Sequence, residues 1–265
     1  MTPDNVPAVG FGTYRLDPAT CEDAVATALD AGYRHVDTAE MYDNEAAVGD
    51  AVAASSVDRE AVFVATKLHS EHLAYDDAVA HAEACRDRLG LDAIDLLYVH
   101  WPINTYDPEE TLAALDDLHD RGLARHVGVS NFTPALLADA IDRLDAPLHA
   151  HQVECHPLLP QAELRAMARD HDHALVAYSP LAKGRVFDVP ELRAVADKHD
   201  ATPAQVSLAW LLSKGVAVVP RSSNPAHVRE NYAARDLDLD AGDVARVDAI
   251  DRRERQVDFP GAPWN

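Results

Sequence analysis

The sequence predicts an α/β fold of the TIM-barrel, (β/α)8, class, organised as a single domain over residues 1–265 with its active site at the C-terminal ends of the strands. Three observations predict it. Short apolar, β-branched runs recur along the chain, amphipathic stretches of helical period separate them, and no linker, internal repeat or low-complexity segment breaks the alternation. With 265 residues and 48% hydrophobic composition, the chain can fill one large core.

The strand candidates are Ala8–Thr13, Arg34–Thr38, Val62–Thr66, Asp95–Val99, His126–Ser130, His149–Val153, Ala174–Tyr178 and Val216–Pro220. They are nearly continuous in apolar character, as parallel strands covered on both faces should be. The helix candidates are Pro18–Ala31, Glu45–Ala54, Asp76–Leu89, Pro108–Arg121, Thr133–Leu144, Gln161–Asp170, Pro203–Ser213, Pro225–Tyr232 and Ala241–Asp251. Several carry Pro in the first turn and Gly just past the last, the asymmetry that helix termini favour. The competing fold, an open doubly wound sheet, needs a Gly-rich phosphate turn after an early strand. Gly10-Phe11-Gly12-Thr13-Tyr14-Arg15 starts that pattern but has Arg15 where the third glycine belongs. The Pro-containing tail, Asp258–Asn265, reads as a flap, with Trp264 able to fold over the site.

The charge balance excludes some partners. Against 45 acidic residues stand 23 basic ones, a formal net charge of -22. Such a field repels nucleic acid and anionic membrane surfaces, so neither is expected as a partner. Only four of the basic residues are lysines: Lys67, Lys183, Lys198 and Lys214. A surface this rich in carboxylates suits a protein kept folded and soluble at high salt, where screening weakens self-repulsion. No run of 18 apolar residues exists, and Met1–Asn5 lacks the basic start of a signal peptide. Cys21, Cys85 and Cys155 form no CxxC pair and suggest no disulfide framework. A cytoplasmic location and a monomer are expected.

In a barrel, chemistry sits on the loops that follow the strands. The second strand ends in Asp37-Thr38-Ala39-Glu40-Met41-Tyr42, the third in Thr66-Lys67, and the fourth in His100-Trp101-Pro102. The fifth ends in Ser130-Asn131, the sixth near Gln152, the seventh in Tyr178-Ser179-Pro180, and the eighth in Pro220-Arg221-Ser222. Singly, these residues have plain readings. Asp37 and Lys67 could form a structural ion pair, Lys67 a Schiff base as in barrel aldolases, and Tyr42 and His100 could simply pack. Tyr42, Lys67, His100 and Asp37 together at successive strand ends favour catalysis.

The stretch from Gly32 to Glu45, reading GYRHVDTAEMYDNE, resembles the signature of the aldo-keto reductase superfamily almost residue for residue. Ala65-Thr66-Lys67, Val99-His100-Trp101-Pro102, Gly128-Val129-Ser130-Asn131-Phe132, Gln152-Val153-Glu154, Tyr178-Ser179-Pro180-Leu181 and Val219-Pro220-Arg221-Ser222 through Arg229-Glu230-Asn231 resemble that family's further segments in order and spacing. The resemblance implies an NAD(P)H-dependent oxidoreductase that reduces small aldehydes or ketones to alcohols, reversibly. Tyr42 is then the proton donor. Lys67 lowers the pKa of that phenol from about 10. Asp37 pairs with Lys67, and His100 orients the substrate oxygen. Tyr14 and Trp101 flank the substrate pocket.

The same resemblance implies a dinucleotide site. Ser130, Asn131 and Gln152 bind the nicotinamide carboxamide, and Tyr178 stacks on its ring. Thr13 and Asp37 lie near the ribose, and Ser179, Leu181 and Lys183 near the pyrophosphate. Arg221 and Ser222 hold a 2′-phosphate, while Glu230 and Asn231 contact adenine. The sequence departs from the family at the adenine end, where Arg221 replaces the usual Lys and His227 the usual Arg. NADPH is therefore expected as cofactor, with weaker discrimination against NADH than a Lys/Arg version has.

Two other readings compete with this one. A cofactor-binding barrel acting as a sensor or subunit without efficient turnover has no need for Tyr42 beside Lys67. A metal site would use His149-Ala150-His151, whose rings a regular strand puts on one face, or His171-Asp172-His173. No carboxylate partner for either pair is identifiable, and with 14 histidines such spacings arise by chance, so no metal is expected.

Overall fold

The computed structural model describes residues 6–265. Residues 1–5, where the sequence shows no signal-peptide start, lie outside the described residues. Eight strands form one parallel sheet in sequence order: β1 Phe11–Gly12, β2 His35–Asp37, β3 Phe63–Leu68, β4 Ile94–Val99, β5 Ala124–Ser130, β6 Leu148–Glu154, β7 Ala174–Tyr178 and β8 Ala217–Val218. The ring closes where Val9 pairs in parallel with Val218. Gly10 N–H donates to Val218 O at 2.8 Å, and Gly12 N–H to Pro220 O at 3.1 Å. A Cβ on Gly12 would sit 2.9 Å from the carbonyl oxygen of Val219. This glycine therefore serves the seam of the barrel, which accounts for the incomplete Gly-rich motif.

Ten α-helices surround the strands among the described residues: α1 Pro18–Ala31, α2 Glu45–Ala54, α3 Tyr75–Leu89, α4 Pro108–Asp120, α5 Pro134–Arg143, α6 Ala162–Asp170, α7 Pro190–His199, α8 Pro203–Ser213, α9 Pro225–Ala233 and α10 Ala241–Asp248. Asp17, Asp107, Thr133, Thr202 and Asn224 cap their helices through side-chain oxygens, each followed by Pro in the first turn. That combination satisfies an orphan N–H and pre-sets φ. The sequence reading misses α7. Between β7 and β8 the chain forms a 3-10 segment, Ala182–Asp188, and then two helices rather than one.

The core has two parts. Ala65, Leu96, Tyr98, Ala150, Val176 and Ala217 belong to a cluster inside the barrel, while the larger cluster lies between strands and helices. Gly128 belongs to the inner packing, since a Cβ there would meet the Tyr98 ring and Ala150 O at 2.7 Å. The side chains of a strand alternate between its two faces. Two residues beyond the inner Ala65, Tyr98, Gly128, Ala150 and Val176 come Lys67, His100, Ser130, Gln152 and Tyr178. The strand period alone thus stacks the polar candidates on top of the apolar plug.

One departure from this period matters. The β5–β6 register runs Val127 with Leu148 and then Gly128 with Ala150, skipping His149. The bulge sends the two rings of His149-Ala150-His151 to different neighbours. His149 stacks on His126 with centroids 3.8 Å apart, whereas His151 lies 6.5 Å from His173. The expectation that both rings share one face is corrected by that extra residue.

Candidate active site

Four strands deliver one buried cluster. Lys67 Nζ donates to Asp37 Oδ1 at 2.6 Å and to Thr38 O at 2.6 Å. The ammonium is 1% exposed, so this pairing is what allows a charge there at all. Burial pulls the Lys67 pKa down while Asp37 opposes it. Asp37 Oδ2 accepts from Gln152 Nε2 at 2.7 Å, so both carboxylate oxygens are engaged. Thr13 N–H and Thr13 Oγ1 both donate to Asp37 O, at 3.0 and 3.1 Å.

Tyr42 closes the cluster from above. It ends a 3-10 turn, Glu40–Tyr42, that follows β2. Lys67 Nζ lies 5.4 Å from its ring centre, and His100 meets that ring edge-on at 5.7 Å. Burial, then the Asp37 charge and the neighbouring Tyr14 and Tyr178 phenols, hold the Tyr42 phenol well above its ordinary value. The sequence expectation that Lys67 lowers this pKa therefore meets a larger opposing effect. Asp37 neutralises the ammonium, and desolvation penalises the phenolate. Burial, with Lys67 and His69 adding to it, pushes the His100 pKa well below the usual imidazole range. His100 is therefore neutral at pH 7, and its buried Nδ1 has no hydrogen-bond partner.

The expected carboxamide ligands form a bonded group of their own. Ser130 Oγ donates to Gln152 O at 2.9 Å. Asn131 Nδ2 donates to His100 O at 2.9 Å and lies 3.0 Å from Ser130 Oγ. Asn131, at φ 65, accepts from the Tyr178 hydroxyl at 2.8 Å. Tyr178 is half-buried at the barrel mouth. Ser179, Ala182 and Lys183 adopt left-handed backbone in the loop that follows, and Leu181 packs on the outer core. The adenine-end candidates lie apart from this cluster, around the N-terminus of α9. Arg221, His227 and Glu230 are exposed, Ser222 is half-exposed and accepts from Asn224 N–H, and Asn231 is buried. Arg221 donates to Arg15 O at 3.1 Å, and no carboxylate pairs with it among the described residues. Its charge remains available to an anion, and a helix N-terminus beside it favours one too.

The aromatic wall is larger than the sequence indicates. Tyr14 packs on Tyr42 at 5.1 Å, and Trp101 lies 6.3 Å from His100. Phe259 and Trp264 from the tail meet Trp101 at 5.0 and 5.7 Å. Glu154 holds the tail in place. Its buried carboxylate accepts the backbone N–H of Gln256 at 2.6 Å and of Val257 at 2.7 Å, and Lys183 Nζ donates to Gln256 O at 2.7 Å. Arg255 stacks on Trp264 at 3.8 Å. A cavity of about 300 Å³ opens beside Asn131, under Arg255 and Trp264. The sequence gives no role to Phe259 or Arg255, and it places Glu154 only within the family-like segment Gln152-Val153-Glu154, as an acid ending an otherwise apolar strand.

Comparison with known proteins agrees with this geometry. The Aldo/keto reductase family profile matches residues 8–252. An aldo-keto reductase of Mycolicibacterium vanbaalenii is 41% identical over 257 residues, covering 96% of this chain and 92% of the relative. Methylglyoxal reductase DkgB of Escherichia coli O157:H7 is 38% identical over 259 residues, covering 97% of each. Among solved structures, one described as a candidate 2,5-diketo-D-gluconic acid reductase B superposes with TM-score 0.93 at 35% identity, covering 97% of this chain and 92% of that one. The aldose reductase of Schistosoma japonicum gives TM-score 0.92 at 27% identity, with 98% and 94% covered. This chain belongs to the aldo/keto reductase family, whose members are oxidoreductases that interconvert carbonyl compounds and alcohols with a nicotinamide cofactor.

Proposed function

We propose that the cluster of Asp37, Tyr42, Lys67 and His100 reduces small aldehydes and ketones, with NADPH preferred and NADH accepted. The observation that carries this reading is the buried Lys67–Asp37 pair beneath the Tyr42 ring, with neutral His100 edge-on to the same ring. A nicotinamide dinucleotide, which Tyr178, Ser130, Asn131 and Arg221 would hold, would supply the hydride for the carbonyl carbon when bound. Tyr42 then gives its phenolic proton to the carbonyl oxygen as charge builds there. Its high pKa keeps that proton in place until the substrate oxygen becomes the stronger base. His100, neutral, donates a hydrogen bond to that oxygen and orients it. Lys67 steadies the phenolate left behind, and Asp37 keeps Lys67 in position. General acid catalysis of this kind contributes roughly 10²–10⁴-fold.

The cofactor fits the residues present. Arg221 offers an unpaired guanidinium to a 2′-phosphate, and Tyr178 offers a ring face at the barrel mouth. His227 contributes less fixed charge than an arginine would, which is the basis for NADH as the second cofactor. The named activities of the relatives, on methylglyoxal and on a diketo sugar acid, support a small dicarbonyl compound as substrate. The aromatic wall of Tyr14, Trp101, Phe259 and Trp264 suits a small one. The acidic surface supports work at high salt, and three free, buried cysteines support a reducing, cytoplasmic setting.

The test is NADPH consumption against a panel of small dicarbonyls and aldehydes in concentrated KCl, with wild type and Lys67→Met. The expected result is turnover that falls at least about 10²-fold in the variant, while quenching of protein fluorescence shows that cofactor still binds. Undiminished turnover in the variant, or cofactor binding with no turnover by wild type across the panel, overturns the proposal.

A further inference from the structure

One convergent group of side chains lies outside the reaction cluster. Glu40 opens the 3-10 turn that ends at Tyr42, His72 follows β3, and His81 sits in α3. Glu40 Oε2 accepts the His69 backbone N–H at 2.8 Å, which fixes the carboxylate. Its Oε1 lies 3.0 Å from His72 Nδ1 and 2.5 Å from His81 Nδ1. The two imidazoles stack face to face, centroids 3.5 Å apart and planes at 17°. Each is 34% exposed, while the Glu40 side chain is 10% exposed, so the group is open to ions yet anchored on a largely buried carboxylate.

We propose that Glu40, His72 and His81 form a binding site for one divalent transition-metal ion of the Zn²⁺ class. The three donor atoms lie within 4.8 Å of one another. A tetrahedral ion with ligands at about 2.0–2.2 Å needs donors roughly 3.3 Å apart; the Glu40–His spacings of 2.5 and 3.0 Å fall short of that, so an ion has to push the two stacked rings outward and tilt them until their in-plane lone pairs converge. Two imidazoles and one carboxylate suit zinc, nickel or copper, whereas magnesium and calcium prefer an all-oxygen set. Without the ion, each Nδ1 donates its hydrogen to Glu40. With it, each ring carries its proton on Nε2 and presents the Nδ1 lone pair. The three ligands bring one negative charge to the ion, in a chain of net charge -22 that concentrates cations around it. Because Glu40 and Tyr42 share one 3-10 turn, an ion here also fixes the segment that carries Tyr42.

The experiment is calorimetric titration of the full chain, freed of metal by chelator and held in concentrated KCl to screen diffuse cation binding. Zn²⁺ is titrated into wild type, His72→Gln and His81→Gln. Expected is one saturable ion per chain, not displaced by excess Mg²⁺, with affinity reduced at least about 100-fold in each variant, since loss of even an outer-shell partner costs about 10–100-fold. Co²⁺ in place of Zn²⁺ should give visible d–d bands in wild type that Zn²⁺ bleaches and that both variants lack. Circular dichroism checks that the variants fold. If His81→Gln does not, the loop variant His72→Gln carries the test. Absence of saturable Zn²⁺ binding, or binding that survives both substitutions, overturns the site.

Discussion

Gln152 reaches across the barrel to Asp37, its Nε2 donating to Oδ2 at 2.7 Å while Lys67 holds Oδ1 at 2.6 Å. The carboxylate that places Lys67 is therefore itself placed by an amide on β6. Gln152→Leu leaves Oδ2 buried without a donor, a cost of about 1–3 kcal/mol. The expected outcome is a lower Tm and a lower kcat. A residue that served only the nicotinamide carboxamide would instead raise KM for cofactor and leave kcat alone, so steady-state kinetics separates the two roles.

Cofactor choice should turn on the start of α9. Arg221→Ala removes a charge-assisted contact to a 2′-phosphate, about 1.5–3 kcal/mol, or roughly a tenfold or greater rise in KM for NADPH. KM for NADH should hardly move. His227→Arg should act in the opposite sense and strengthen the preference for NADPH. Equal effects of Arg221→Ala on both cofactors would show that the guanidinium does not read the phosphate.

Buried histidines set an acid limit on stability. Burial, with His173 adding to it, lowers the His151 pKa to about 3, and burial lowers that of His173 to about 4. His35 and His100 are lowered as well, first by burial. In the unfolded chain these rings take up protons near pH 6.5, so below that pH the unfolded state binds more protons and is favoured. Their contribution is intact above pH 6.5 and is lost progressively from there down to about pH 4 and 3 for His173 and His151. Thermal melts should show Tm falling steadily between pH 6.5 and 5, with a shallower slope in a His151→Gln, His173→Gln double variant.

Salt should stabilise rather than weaken the fold. Screening shortens from about 10 Å at 0.1 M to about 3 Å at 1 M. With 45 acids against 23 bases, repulsion outweighs the surface ion pairs that salt also weakens. Tm should climb from dilute buffer into molar KCl, and a flat or falling curve would count against an acidic surface tuned to brine.

Much of this was legible in the sequence, because an apolar strand of period two announces both its interior column and the residue that ends it. Lys67, His100, Ser130, Gln152 and Tyr178 each stand two places beyond a small or apolar inner residue. What stayed hidden has physical causes. Nothing marks the β6 bulge at His149, since it is set by register against β5 rather than by any turn residue. Helix α7 escaped because only Leu192, Val195 and Ala196 are buried in a polar ten-residue stretch, and it follows a kinked turn. The anchoring of Gln256 and Val257 by Glu154, and the meeting of Glu40 with His81, join segments far apart in sequence, and no local pattern encodes them.

The seam between Val9 and Val218 has a consequence for how the molecule is made. Every other strand pair joins neighbours in sequence, so the sheet can grow by short-range steps, but this last pairing must close a loop of nearly the whole barrel. Until it does, the curled sheet exposes two unsatisfied edges, which are templates for sticking to another copy. Thr13 and Arg221 flank that same joint. With Thr13 and Arg221 in the dinucleotide roles proposed above, competence to hold the cofactor and protection from aggregation arise together when this seam closes.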